Sequence, residues 1–124
     1  MSWSPGLGPT KTPDVAAETF VPLSPQVFQI LLSLHEGARH GYAIIQDVST
    51  RTGGQMRLTA STLYDAIARL VDSRLIEPSE APSDETDTRR RYYRMSPLGR
   101  EVAAAEVRRL ARLVDMARAV GIGE

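Results

Sequence analysis

DETDTRRRYYRMSPLG, residues 84–99, sets an acidic run against four arginines and two tyrosines, and closes on a Ser-Pro step. The aromatic RRRYYRM portion predicts a strand, with Arg91, Tyr93 and Met95 on one side and Arg90, Tyr92 and Arg94 on the other. Tyr93 falls on the apolar side and is expected in the core, leaving Tyr92 exposed. Upstream, Leu75 and Ile76 open a second extended segment that Pro78 confines to an edge or a short strand. The polar, turn-rich EPSEAPSDETDT between the two makes a hairpin.

Ser96-Pro97 is a helix start: a serine cap, then a proline at the first helical position, where its missing N–H costs nothing. The helix it opens is expected to run to about Val120, roughly 36 Å at about 1.5 Å per residue. Such a length exceeds what a core of this size covers. Ala103, Val107, Leu110, Val114 and Ala117 recur along it at the near-3.5 period of a helix that pairs with another helix. Arg108, Arg109, Arg112 and Asp115 assign the remaining face to solvent, so the stripe is narrow and suits one partner.

Before the hairpin, three further helices are predicted. Ser24-Pro25 repeats the cap-then-proline signature, and Val27, Ile30, Leu31 and Leu34 form an amphipathic stripe ending near Glu36 and Gly37. After the link GARH, Gly41, Ile44, Ile45 and Val48 repeat the spacing until Gly53-Gly54 stops it. Thr59 then caps a third helix with Leu63, Ile67, Leu70 and Val71 inward. Its outer face carries Ser61, Thr62, Tyr64, Asp65, Ala68 and Arg69, which are polar but small enough for close approach to another surface.

The fold class expected is therefore mainly α with a small β-hairpin: a winged helix-turn-helix over 23–96, a long C-terminal dimerisation helix over 97–124, and a flexible, proline-rich N-terminal tail over 1–22. Within the tail, the apolar group Val15 to Val21 has the option of forming a helical turn or an arm. In a winged helix-turn-helix the third helix enters the DNA major groove by its N-terminal end, and the wing lies along adjacent backbone. Arg89, Arg90, Arg91 and Arg94 then fall where the wing faces phosphate.

Composition limits the alternatives. A chain of 124 residues with 42% apolar and 24% charged residues suits one folded domain. The absence of cysteine excludes disulfides, thiolate chemistry and cysteine-held metal. No apolar run is long enough to span a membrane, and MSWSPGLGPT lacks the pattern of a signal peptide, so a cytoplasmic location is expected. Fifteen acidic and fifteen basic residues cancel, so any affinity for nucleic acid depends on where the cations cluster. Among the histidines, His35 and His40 read as surface residues rather than metal ligands, and no metal or cofactor is expected. No paired carboxylates, glycine-rich phosphate cradle or Ser/His/Asp grouping stands out, so an enzyme is not expected.

The strings HGYAI (40–44), TLYDAIARLVDSRLI (62–76) and RRYYRMSPLG (90–99) resemble the PadR family of transcriptional regulators, in the right order and at the right separations. The resemblance extends over about 23–118. It implies a homodimeric winged-helix regulator, usually a repressor, whose single C-terminal helix forms the dimer interface, as in the shorter subgroup of that family. It further implies a pseudo-palindromic operator in double-stranded DNA, with Tyr64 on the backbone, Ser61 and Thr62 at the groove, and Arg90 and Arg91 on the wing. Some members of that subgroup bind flat aromatic compounds, which implies a small aromatic effector. The chain departs from the family pattern in three respects. Arg74 stands where glycine usually precedes the Leu-Ile pair, Ala60-Ser61 replaces Pro-Gly, and nothing resembles the aromatic pocket of the shorter subgroup, because the only tryptophan is Trp3 in the tail. A different class of function stays open: a winged-helix interaction module whose wing arginines meet an acidic protein, because the third helix exposes only Arg69 and Arg74 as cations.

Overall fold

The computed structural model describes residues 17–123. From Pro25 onward the described residues form four helices and three short strands, in the order α1 (Pro25–Leu34), β1 (Arg39–His40), α2 (Gly41–Arg51), α3 (Ala60–Asp72), β2 (Ile76–Ser79), β3 (Tyr92–Met95) and α4 (Pro97–Ala119). The caps are those the sequence signals. Ser24 accepts the Val27 N–H at 3.1 Å, Thr59 accepts that of Thr62 at 3.1 Å, and Ser96 accepts that of Gly99 at 2.9 Å. Each satisfies a backbone donor that the first helical turn otherwise leaves without a partner.

The sheet is antiparallel in the order β1-β3-β2, so β3 is central. Ile76 pairs with Met95 and Ser79 with Tyr92, while Arg39 and His40 pair with Tyr93 and Tyr92. The third strand lies in what the sequence reads as the link GARH. Two residues without β-branched or aromatic content carry no strand signal of their own; β1 exists because β3 offers it a free edge.

A single core joins Ile30, Leu31 and Leu34 of α1 with Ile44 and Val48 of α2, Leu63, Ile67 and Leu70 of α3, and Leu75, Ile76, Met95, Val102 and Ala105. The inward stripes of the helices and the Ile76/Met95 pair of the sheet thus meet in one place. Helix α3 ends on a Schellman turn: Leu75 N–H bonds to the Leu70 carbonyl at 2.9 Å and Arg74 N–H to that of Val71 at 3.0 Å. The residue forced into the left-handed region is Arg74, at φ 65°. Arginine there takes up the same backbone as the usual glycine, at a conformational cost.

Helix α4 changes character along its length. Gly99, Val102, Ala105 and Glu106 are buried against the domain, whereas Val107, Leu110, Leu113, Val114 and Met116 are exposed. Residues 17–23, most of which the sequence reading assigns to the tail, pack on this junction. Ala17 is buried, Phe20, Val21 and Leu23 lie against the core, and Glu18 pairs with Arg108 at 3.6 Å. The remainder of the expected tail, residues 1–16 with Trp3, lies outside the described residues. Glu106 is the one buried acid of α4. Arg109 holds it through two bonds of 2.8 Å, and the Leu23 backbone donates to it as well. The Arg109 bonds chiefly, against the opposing effect of burial, keep its carboxyl below the usual carboxylate range. Arg109, expected on the solvent face, is thus partly folded onto an internal partner.

Candidate nucleic-acid interface

The N-terminal turn of α3 is built by Thr59. Its hydroxyl accepts the Thr62 N–H and donates to the Thr62 Oγ1 at 2.9 Å, so the cap also orients the Thr62 side chain. Ser61, Tyr64 and Arg69 are exposed on the outward face, and Leu63, Ala66, Ile67 and Leu70 turn inward. Tyr64 is 49% exposed and lies across the start of α2. A Cβ on Gly41 would meet its hydroxyl and stand 2.8 Å from its Cζ, so only glycine leaves room for the ring there.

The tyrosine and the wing share a cleft. His40, Gly41, Tyr42 and Tyr64, together with Asp87, Tyr93 and the wing run Arg89–Arg91, line an open hollow of about 620 Å³. Residues from α2, α3 and the wing, up to fifty positions apart in the chain, thus face one space. Arg94 does not join them. It reaches across to its register partner on β2, Glu77, and donates to it at 2.8 Å. Ser61, Thr62 and Arg69 lie outside the hollow, on the free face of α3.

The wing arginines are largely occupied by carboxylates of their own chain. Arg90 Nη1 is 3.3 Å from Glu85, and Arg90 Nε is 3.8 Å from Asp87. Arg89 donates to Asp87 through its backbone N–H at 3.0 Å and its Nε at 3.2 Å. Among the described residues, Arg91 is the wing arginine left without an ion pair. Glu85 is fixed in turn by the Tyr92 hydroxyl and by the Asp87 N–H at 2.8 Å. The Tyr92 bond first and the Asp87 bond second pull its carboxyl down to about 2, so it is ionised throughout the neutral range.

This network reverses two expectations. Tyr92 is buried although it sits opposite the apolar side of β3, because His40 meets its ring edge-on at 5.3 Å and the wing loop closes over its hydroxyl. Tyr93 does pack against the core. His40 is not a free surface histidine: its Nδ1 caps α2 by accepting the Ala43 N–H at 3.2 Å, and its Nε2 lies 3.2 Å from Arg90. Partial burial and then the Arg90 charge lower its pKa from 6.5. Tyr42, 61% exposed and lining the same hollow, was not singled out from sequence. Its place beside the histidine and glycine of HGYAI was the available signal. Among the described residues no group of three His, Asp or Glu side chains is arranged to hold a metal, and no helix is long and apolar enough to cross a membrane.

The model of the transcriptional regulator PadR-like family matches residues 30–105, from α1 to the buried turn of α4. The chain belongs to the PadR-like family of transcriptional regulators. PadR-like proteins are DNA-binding winged-helix regulators rather than enzymes. A transcriptional regulator from Clostridium thermocellum is 26% identical, aligns over 88% of this chain and 98% of its own, and superposes with a TM-score of 0.62. Bacillus subtilis PadR, solved in complex with operator DNA, shares the fold at a TM-score of 0.55 and 19% identity, over 67% of this chain and 46% of its own. A 37.1 kDa protein of a Streptomyces fradiae transposon is 36% identical over 84 residues. That match takes in 68% of this chain but spans only 22% of the Streptomyces protein.

Proposed function

We propose that this PadR-like chain is a homodimeric transcriptional repressor that binds a pseudo-palindromic operator and is released from it by a small-molecule signal. The observation that carries the DNA reading is the shared hollow, in which Tyr64 of α3 and the Arg89–Arg91 run of the wing face one space. Phosphate fits between them, with Tyr64 and Arg90 and Arg91 as donors, and Arg89 and Arg94 extend the wing contact along the backbone. Ser61 and Thr62 then stand at the end of α3 that enters the major groove, with Arg69 further along. Such a protein acts where the DNA is, in the cytoplasm.

Dimerisation is supported by α4. Val107, Leu110 and Val114 are exposed on a helix that continues beyond its own core, with Ala103 and Ala117 at the same spacing and Leu113 and Met116 beside them. Burying such a stripe against a second copy removes apolar area that would otherwise face water. A two-fold pair places two α3 helices on successive major grooves, half-sites roughly 10 bp or a multiple apart. For the effector, a largely apolar groove of about 280 Å³ beside α1 and α4, lined by Leu31, Leu32, Met95 and Val107 with His35 and Arg100, borders this stripe. It suits a small aromatic compound, with the histidine and the arginine available to a polar substituent.

The test is selection from a library of random duplexes followed by sequencing of the bound fraction. An inverted repeat with half-sites one or two helical turns apart is expected. Recovery of no enriched sequence, together with binding to an acidic protein, would replace this reading with that of an interaction module.

A further inference from the structure

We infer that Glu85 and Asp87 are in-chain stand-ins for phosphate, so that the wing engages DNA by exchanging its own carboxylates for phosphate oxygens. This rests on the DNA-binding reading above. Two of the four wing arginines, Arg89 and Arg90, are held by these carboxylates, and a third, Arg94, by Glu77. Arg90 and Arg89 also border the hollow where phosphate is placed. The same guanidinium groups cannot serve both anions at full strength.

Glu85 is not a passing surface neighbour. Its side chain is only 10% exposed, against 45% for Arg90, and two donors other than arginine hold it: the Tyr92 hydroxyl and the Asp87 N–H. The carboxylate is therefore the fixed member of the pair and Arg90 the movable one. Asp87 is anchored less deeply, yet it caps the turn by accepting the Arg89 N–H, and it contacts both Arg89 and Arg90. The wing thus presents its cations in position but already partly neutralised.

The exchange has a measurable signature. Each arginine that meets phosphate without first leaving a carboxylate adds up to about one unit to the slope of log affinity against log salt. Neutralising one of these carboxylates is expected to raise affinity by up to about fivefold. Glu85→Gln keeps an acceptor for Tyr92, and Asp87→Asn keeps one for the Arg89 N–H, so both substitutions remove charge and preserve shape.

The experiment is a fluorescence-anisotropy titration of one mixed-sequence duplex with the wild-type protein and each variant, between about 50 and 200 mM salt. Both variants are expected to bind more tightly, with steeper salt dependence, than the wild type. Salt-sensitive wild-type binding that the variants leave unchanged or weaken overturns the inference and leaves the DNA reading standing. Failure of all three proteins to bind at the lowest salt overturns the DNA reading and the inference with it.

Discussion

Gly99→Ala tests the junction between the wing and α4. The Leu75 carbonyl accepts the Ser96 N–H at 3.0 Å, the Ser96 hydroxyl donates chiefly to the neighbouring Arg74 carbonyl at 2.6 Å, and Gly99 packs directly on the Leu75 carbonyl. A Cβ at position 99 would collide with the carbonyl oxygen and stand 3.1 Å from its carbon and 2.8 Å from the Met95 Cγ. Non-bonded carbon atoms need about 3.5 Å or more, so backbone at the end of α3 has to move, not merely a side-chain tip. Such overpacking costs about 1–3 kcal/mol, and weakening the Ser96 N–H bond to that carbonyl costs about 1 kcal/mol more. The better helix propensity of alanine returns at most about 1 kcal/mol. The net loss expected is about 1–4 kcal/mol, equivalent to a Tm lowered by roughly 5–15 °C for a domain of this size. Urea denaturation followed by circular dichroism at fixed protein concentration measures it. Ser96→Ala, which removes the cap without adding bulk, should cost about 1–2 kcal/mol. A Gly99→Ala protein within 0.5 kcal/mol of wild type, roughly the scatter of a neutral surface change, would refute the close-approach reasoning.

At the other end of the same turn, Arg74→Gly should stabilise the fold by about 0.5–1 kcal/mol, because glycine adopts the positive φ without strain; a loss of stability in the same denaturation assay would contradict this. His40 is held below its ordinary pKa, so the unfolded chain takes up a proton on this group more readily than the folded one. The stability linked to it is complete above about pH 6.5 and falls as pH drops below that value. Wild type compared with His40→Asn, which keeps a capping acceptor but does not titrate, should lose ground between about pH 7.5 and 5.5; a constant difference in Tm would exclude the linkage. Leu110→Glu with Val114→Glu should convert the proposed dimer to a monomer in sedimentation equilibrium while leaving the helical circular dichroism unchanged, since both side chains are exposed in the single chain. A dimer that persists would place the interface elsewhere.

Much of this architecture is legible in the sequence because it is locally encoded. Ser24-Pro25, Thr59 and Ser96-Pro97 mark helix starts through hydrogen bonds made within three residues. The inward stripes follow from helical periodicity alone. What escapes is set by distant partners. Strand β1 is defined only by β3, more than fifty residues away. Histidine is an uncommon cap, and His40 serves as one while Tyr92 packs edge-on against its ring. The burial of Tyr92 inverts a sound alternation argument, since the wing loop covers the face that would otherwise meet solvent. Glu106 looks like one more surface acid on α4 until the chain before α1 is seen to pack over it. At the candidate interface, the identities of Tyr64 and the wing arginines were readable, but their common hollow, and the carboxylates occupying the arginines, depend on the tertiary fold.

The central claim is that the wing arginines make this chain a DNA-binding protein. Its most direct test is duplex affinity at two salt concentrations for the intact protein and for the Arg90→Ala, Arg91→Ala double variant. The wild type should bind a mixed-sequence duplex and weaken steeply as salt rises, and the variant should bind less tightly with a slope shallower by up to about two units. Equal affinity and equal slope for the two proteins, or no binding by the wild type at low salt, would contradict it.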